Sequence, residues 1–251
     1  MKFVNLNLVN QINYLQTGIG GLSAYTDAII HTILDTDSSL NQTPEYWLYY
    51  FIKEDYRANV LSLQGVNIDA DIFGFPFIKK NLRHMIEAMI DLFNLVNDKE
   101  YIEVMKYCAR KQNNVENTKY SKYLHKKSFT IKSKMKIAKE INSHSFEQYY
   151  DMIKEGNNYV HPNVFIDIKS KQANHISELE KLLSINLELF LMGFELFRDK
   201  YSPKIRLNCL NCSKYLHDCS ECYENEKSKV REIILNNLVY TPVLYNNGYY
   251  W

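Results

Sequence analysis

"FIKKNLRHMIEAMIDLFNLV", residues 77–96, decides the fold. Ile78, Leu82, Met85, Ile86, Met89, Leu92, Phe93 and Val96 recur at intervals of three and four, the spacing at which an α-helix presents one face. Such a stripe has to be covered by other elements, and the chain on either side supplies them. Upstream, "GLSAYTDAIIHTILD" (21–35) and "PEYWLYYFIKEDYRANVLSL" (44–63) read as helices, the second opened by Thr43 as N-cap and Pro44 at the first helical position. "NIDADIFGFPF" breaks the pattern between them and the central stripe. Downstream, "NDKEYIEVMKYCARKQ" restarts a helix after an Asn-Asp cap, "NNVENTKYSK" is a loop, and "SFEQYYDMIKEG" begins behind Ser145. Residues 175–200 form the longest helix; being apolar on nearly all sides, it is expected at the centre of a bundle. Its segment "LLSINLELFLMGFELF" (182–197) is interrupted by Asn186, Glu188 and Glu195 and is too short to cross a bilayer core of roughly 30 Å.

Composition agrees with this reading. With 251 residues, 46% of them apolar, a core can form without disulfides, and only 8 glycines and 5 prolines argue against a sandwich or barrel. The expected fold is mostly α: a helical bundle over 1–203, then a small zinc-binding segment with four cysteine ligands, a short helix and an aromatic tail over 204–251. The tail, "VYTPVLYNNGYYW", is expected to pack on the body or on a partner. The start, "MKFVNLNLVNQINYLQ", makes a poor signal peptide, so the expected location is cytoplasmic, with no membrane partner. A net charge of +1 provides no overall field toward nucleic acid, although residues 121–139 are strongly basic. P-loop, H-E-x-x-H and G-x-S-x-G motifs are absent, and "GIGG" at 18–21 reads as a turn.

Three groups of residues carry chemistry. Cys209, Cys212, Cys219 and Cys222 are spaced C-x2-C-x6-C-x2-C, and four thiolates in two such knuckles close a tetrahedral shell around zinc. His217 can substitute for one of them; two disulfides or free thiols are the other readings. A closed four-ligand shell leaves no position for water, so this zinc is structural. Cys108, on a helix, reads as a core residue. The second group is Arg83 and Glu87, four apart on one helix face, which either bridge each other or aim the guanidinium at an anion, together with His161. Pro162 disfavours the α conformation at His161, which puts this imidazole at a helix end, where it either moves protons near neutral pH or satisfies backbone carbonyls. The third is the mixture of cations and aromatics in the basic segment: Tyr123, His125, Lys126, Lys127 and Phe129, with Lys132 and Lys134. It suits RNA backbone and bases, or it is a solvated basic face.

An arginine-bearing helix "RHMIEAMIDLFNL", an insert, "YYDMIKEGNNYVHPN" and a long apolar helix together resemble the HEPN-like (higher eukaryote and prokaryote nucleotide-binding) helical domains of bacterial defence and toxin-antitoxin systems, over roughly residues 40–200. The resemblance implies a metal-independent ribonuclease, active as a dimer whose paired Arg-x(4 to 6)-His motifs line a shared cleft. His161 takes the histidine's place, where it handles the proton of the ribose 2′-hydroxyl or the leaving oxygen. Lys154 stands at the arginine spacing, keeping the charge without the bidentate fork. Arg83 can supply the guanidinium, and Asn157 and Asn158 hydrogen-bond donors, if the fold brings them together. The alternative is a noncatalytic helical sensor or adaptor that binds a nucleotide, RNA or a partner protein. The partners expected are RNA or a nucleotide, with a second copy of the chain or a defence-system protein.

Cys209→Ser is expected to lower bound zinc and to loosen residues 205–225, read by metal content and by limited proteolysis; unchanged values of both would remove the zinc clip.

Overall fold

Thr43 and Pro44 begin a helix as the sequence predicts: Thr43 Oγ1 accepts from the Tyr46 amide at 3.3 Å, and Pro44 occupies the first turn, where its missing N–H has no cost. The computed structural model describes residues 22, 26–27, 29–62, 74–110, 118–160, 175–201, 206–209 and 214–218, with positions 224, 225 and 228. In order these form helices α1 (29–36), α2 (Pro44–Leu61), α3 (Gly74–Asn97), α4 (Ile102–Arg110), α5 (Ile131–Asn142), α6 (Tyr150–Val160) and α7 (His175–Tyr201). Two short antiparallel strands, β1 (Arg206–Cys209) and β2 (Lys214–Asp218), follow. The described chain is therefore mostly helical, and among its residues no helix is long and apolar enough to cross a membrane.

The bundle is built around α3, not α7. α3 packs against α2, α5, α6 and α7, while α7 packs on α3 and α2. The stripe read from the sequence accounts for this: Ile78, Leu82, Met85, Ile86, Met89 and Leu92 have no exposed surface, and Ala88, Ile90 and Leu95 extend burial around the helix. α7 instead keeps one wet side, marked by exposed Lys181 and Glu188 seven residues apart, which is two helical turns. Its apolar sides meet α2 through stacked rings, with Tyr56 on Phe190 at 4.2 Å and Tyr49 on Phe197 at 5.6 Å. Asn186, a break in the apolar run of the sequence, is buried in that interface. Asn59 donates to its side-chain oxygen at 2.9 Å and it donates to the Tyr56 carbonyl at 3.4 Å, so burial does not strand the amide.

One further sequence expectation is corrected here. Cys108 is exposed on α4 and is not a core residue: the buried side of that short helix is taken by Val104, with Tyr101 just ahead of it. The hairpin pairs Arg206 with Asp218, Leu207 with His217 and Cys209 with Lys214. Cys209 thus ends β1, opposite Lys214 at the start of β2. Asp218 stands opposite Arg206, three residues along, or roughly 10 Å at about 3.3 Å per residue. Cys212, Cys219, Cys222 and the aromatic tail lie outside the described residues. Among the described residues no group of three or more His, Cys, Asp or Glu side chains could hold a metal.

α6 lies so close to α3 that only glycine fits at the crossing. A Cβ on Gly156 would stand 2.6 Å from Arg83 Cβ and 2.9 Å from the Lys79 carbonyl oxygen, both attached to a backbone that cannot swing aside. At Gly193 on α7 the nearest atom is the Ile52 Cδ1 at 3.2 Å, the end of a side chain that can yield. Gly156→Ala is expected to lower stability by about 1–3 kcal/mol, because the overlap outweighs the helix propensity that alanine adds. Gly193→Ala is expected to be close to neutral. Thermal denaturation of the two variants checks the contrast; equal melting temperatures would contradict it.

Candidate functional site

The first turn of α5 is fixed by Thr130, whose Oγ1 accepts from the Ser133 amide at 3.1 Å. From there the sequence "IKSKMKIAK" is sorted by the helix period. Ser133, Met135, Ile137 and Ala138 turn inward, while Lys132 and Lys136, one turn apart, stay exposed. Lys134 is two residues from Lys132, hence about 200° round the helix, and it points at α3. There its ammonium meets Asp91 at 2.6 Å, both side chains being only 13% and 14% exposed. Tyr101 donates to the other Asp91 oxygen at 2.5 Å, and Asn94 donates to the Lys134 carbonyl at 3.1 Å. Burial works against the Lys134 charge; the Asp91 carboxylate, through charge and hydrogen bond, outweighs it and holds the pKa above the ordinary lysine value. The expectation that Lys134 contacts RNA is therefore corrected: it fastens α5 to α3.

α6 is sorted in the same way. Met152, Ile153 and Gly156 are buried, while Lys154 and Asn157 are exposed. Between α5, α6 and the 3-10 turn Ser121–Tyr123 lies a cleft of about 660 Å³. Its wall takes Lys122, Tyr123 and His125 from the turn region, Thr130 to Ser133 and Lys136 from α5, and Tyr150, Lys154 and Asn157 from α6. Four lysines and a histidine face it, and among the described residues no carboxylate lines it. The four ammonium groups are not equally available. Lys122 is paired with Glu140 at 2.5 Å and Lys154 with the exposed Asp151 at 3.4 Å, whereas Lys132 and Lys136 have no carboxylate partner among the described residues. Lys132 and Lys154 stand 4.8 Å and 4.5 Å from the centre of the Tyr150 ring. The α5 N-terminus opens on the same wall, which adds the positive end of a helix dipole.

The structure thus joins residues of two successive helices that the sequence placed in separate groups. Lys132 from the basic segment shares one wall with Lys154 and Asn157. Arg83 and Glu87 are elsewhere: they bridge each other at 3.4 Å, and Arg83 packs against Gly156. Positions 154 and 156 of α6 face about 160° apart, so the Arg83 guanidinium is not in the cleft wall. Lys126 and Lys127 form the tip of a two-residue turn in which His125 and Ser128 exchange backbone hydrogen bonds at 2.9 Å. Both lysines have positive φ, 47° and 61°, a conformation usually given to Asn-Gly, and Tyr107 anchors the turn by donating to the Lys127 carbonyl at 3.0 Å. They are exposed beside the cleft without lining it. Phe129 is a second correction: it is buried against Tyr107, edge to face, and offers no ring to a base. Asn158 belongs to α6, but its side chain, like the whole of His161, lies outside the described residues. His161 follows the last residue of α6 directly. Lys122, Lys136 and Tyr150 were not among the residues picked from the sequence; the Lys132–Lys136 spacing was the available signal.

Outside the cleft wall, His84 of α3 bonds Asp55 of α2, with the Phe51 ring 6.1 Å away. The hydrogen bond to Asp55 raises the His84 pKa against the lowering effect of partial burial. Compared with protein-family models, with curated proteins and with solved structures, the chain matches none.

A histidine whose folded-state pKa is raised stabilises the fold fully below its unfolded value of about 6.5, and that contribution is lost as pH rises through the folded value. His84→Gln is therefore expected to lower the melting temperature most between pH 5.5 and 6.5, with the gap to wild type closing toward pH 9. A gap that is constant with pH would show that the Asp55 bond does not depend on the imidazolium.

Proposed function

We propose that the chain binds RNA by its phosphate backbone in the α5–α6 cleft, and that it cleaves RNA without metal through His161. One observation carries the binding: lysines from two successive helices and the turn ahead of them converge on a single wall that holds no carboxylate among the described residues. Phosphate oxygens there would meet Lys132 and Lys136, which have no competing carboxylate among those residues, and the Ile131 and Lys132 amides that the Thr130 cap leaves over. Asn157 offers a neutral donor beside them. The resemblance to HEPN-like ribonucleases supports the cleavage step. In it His161 acts on the ribose 2′-hydroxyl or the leaving oxygen and Lys154 stabilises charge on phosphorus, within a dimer or a complex with a defence-system partner. Zinc, where Cys209, Cys212, Cys219 and Cys222 hold it, supplies order to the C-terminal segment.

The noncatalytic reading, a sensor or adaptor on the same cleft, is favoured by one feature. Arg83 is tied to Glu87 outside the wall, so the cleft offers lysines, which attract a phosphate as point charges without the fork that grips a phosphorane.

Both readings are separated by fluorescence anisotropy and a cleavage assay on a mixed RNA pool in EDTA. Lys132→Ala/Lys136→Ala is expected to weaken binding and to flatten the slope of log K against log salt by about 1.4, at about 0.7 per phosphate contact on a single strand. Unchanged binding would remove the cleft from RNA recognition. Cleavage by wild type and none by a folded His161→Ala establishes the ribonuclease; binding without cleavage by either leaves the sensor.

A further inference from the structure

Tyr150 has a position the backbone-binding reading does not use. It opens α6, lines the cleft, and has ammonium groups from two different helices over its ring, Lys132 of α5 at 4.8 Å and Lys154 of α6 at 4.5 Å. Tyr123 has one such contact, with Lys122 at 5.1 Å, whereas Tyr150 has two. A ring approached by two cations has the two features that an unpaired nucleotide needs: a π-face for the base, and positive charge within a few ångströms for the phosphates that flank it. In a duplex the base faces are taken by neighbouring bases, and double-stranded RNA is read over about 16 base pairs of surface. A cleft of about 660 Å³ is in the roughly 300–1,000 Å³ range of sites that take a small molecule, room enough for an unpaired nucleotide.

We propose that the cleft selects unpaired RNA, with one base stacked on Tyr150 while Lys132 and Lys154 move from the ring to the flanking phosphates. The proposal rests on the RNA-binding reading and adds its substrate class. The ring's resting contacts with lysine are what make the exchange possible: a base displaces the ammonium groups from the ring face, and each finds a phosphate oxygen beside it.

The test compares binding of a labelled 12-nucleotide single-stranded RNA and of the same strand annealed to its complement, by anisotropy at one salt concentration. Four full-length proteins are used: wild type, Tyr150→Phe, Tyr150→Leu and Lys132→Ala/Lys136→Ala. Tyr150 packs partly on the core, and leucine keeps that apolar bulk while removing the ring; circular dichroism melts confirm folding. Wild type is expected to prefer the single strand, and Tyr150→Phe to keep that preference. Tyr150→Leu should lose single-strand affinity on the order of 5- to 100-fold, the range for one base–aromatic stack, with little change for the duplex. The lysine variant should weaken both. Equal wild-type affinity for the two forms, or wild-type single-strand binding by Tyr150→Leu, overturns the inference. If the lysine variant weakens nothing, the failure lies with the cleft itself; if it weakens binding and Tyr150→Leu does not, only the stacking is lost.

Discussion

Helix α3 is buried along most of its length, and the positions of α2, α5, α6 and α7 depend on how each is fixed to it. Two of those attachments shape the cleft. α6 touches α3 at Gly156, where no larger residue fits against Arg83 and Lys79. α5 is held by the Lys134–Asp91 pair, which Tyr101 braces from the far side. An ion pair this buried adds little net stability compared with apolar packing, but removing one partner strands the other charge at about 3–5 kcal/mol. Its value is therefore in fixing register: with Lys134 directed at Asp91, the helix period leaves Lys132 and Lys136 no direction but outward.

That geometry gives the cleft its charge. The same turn of α5 that places one lysine in the core places its neighbours, two residues on either side, on the wall facing α6. α6 works the same way, with Gly156 inward and Lys154 and Asn157 on the wall. Cations that are mutually repulsive in water are thus gathered in a partly enclosed space, where field lines focus and a polyanion relieves the repulsion. The overall charge of +1 hides this, because carboxylates elsewhere balance it.

Much of the fold was legible in the sequence. The stripe from Ile78 to Val96, the Thr43–Pro44 cap and the long apolar helix near the end all read directly as the helices observed. Which helix is central was not legible, because hydropathy measures how apolar a segment is and not how many neighbours surround it. Asn186, buried and paired with Asn59, shows how a polar residue can sit in a core interface once a partner 127 residues away reaches it. In the site, Lys132, Lys154 and Asn157 were picked out, but as members of separate groups; their union depends on the contact of α5 and α6 with a common helix. Lys134 was misassigned because a basic run was read by composition when the helix period already separated it from Lys132 by about 200°. Phe129 was misassigned for the same reason: an aromatic among lysines is as easily a core anchor as a base platform.

The central claim is that RNA occupies the α5–α6 cleft. The most direct measurement is photo-crosslinking of a 4-thiouridine-substituted single-stranded RNA to the intact protein, with the attachment sites mapped by mass spectrometry. The account predicts crosslinks in residues 122–136 and 150–157, Tyr150 among them. Crosslinks confined to the exposed aromatic surface of α2 around Trp47 and Phe51, or to the segment after residue 203, would contradict it.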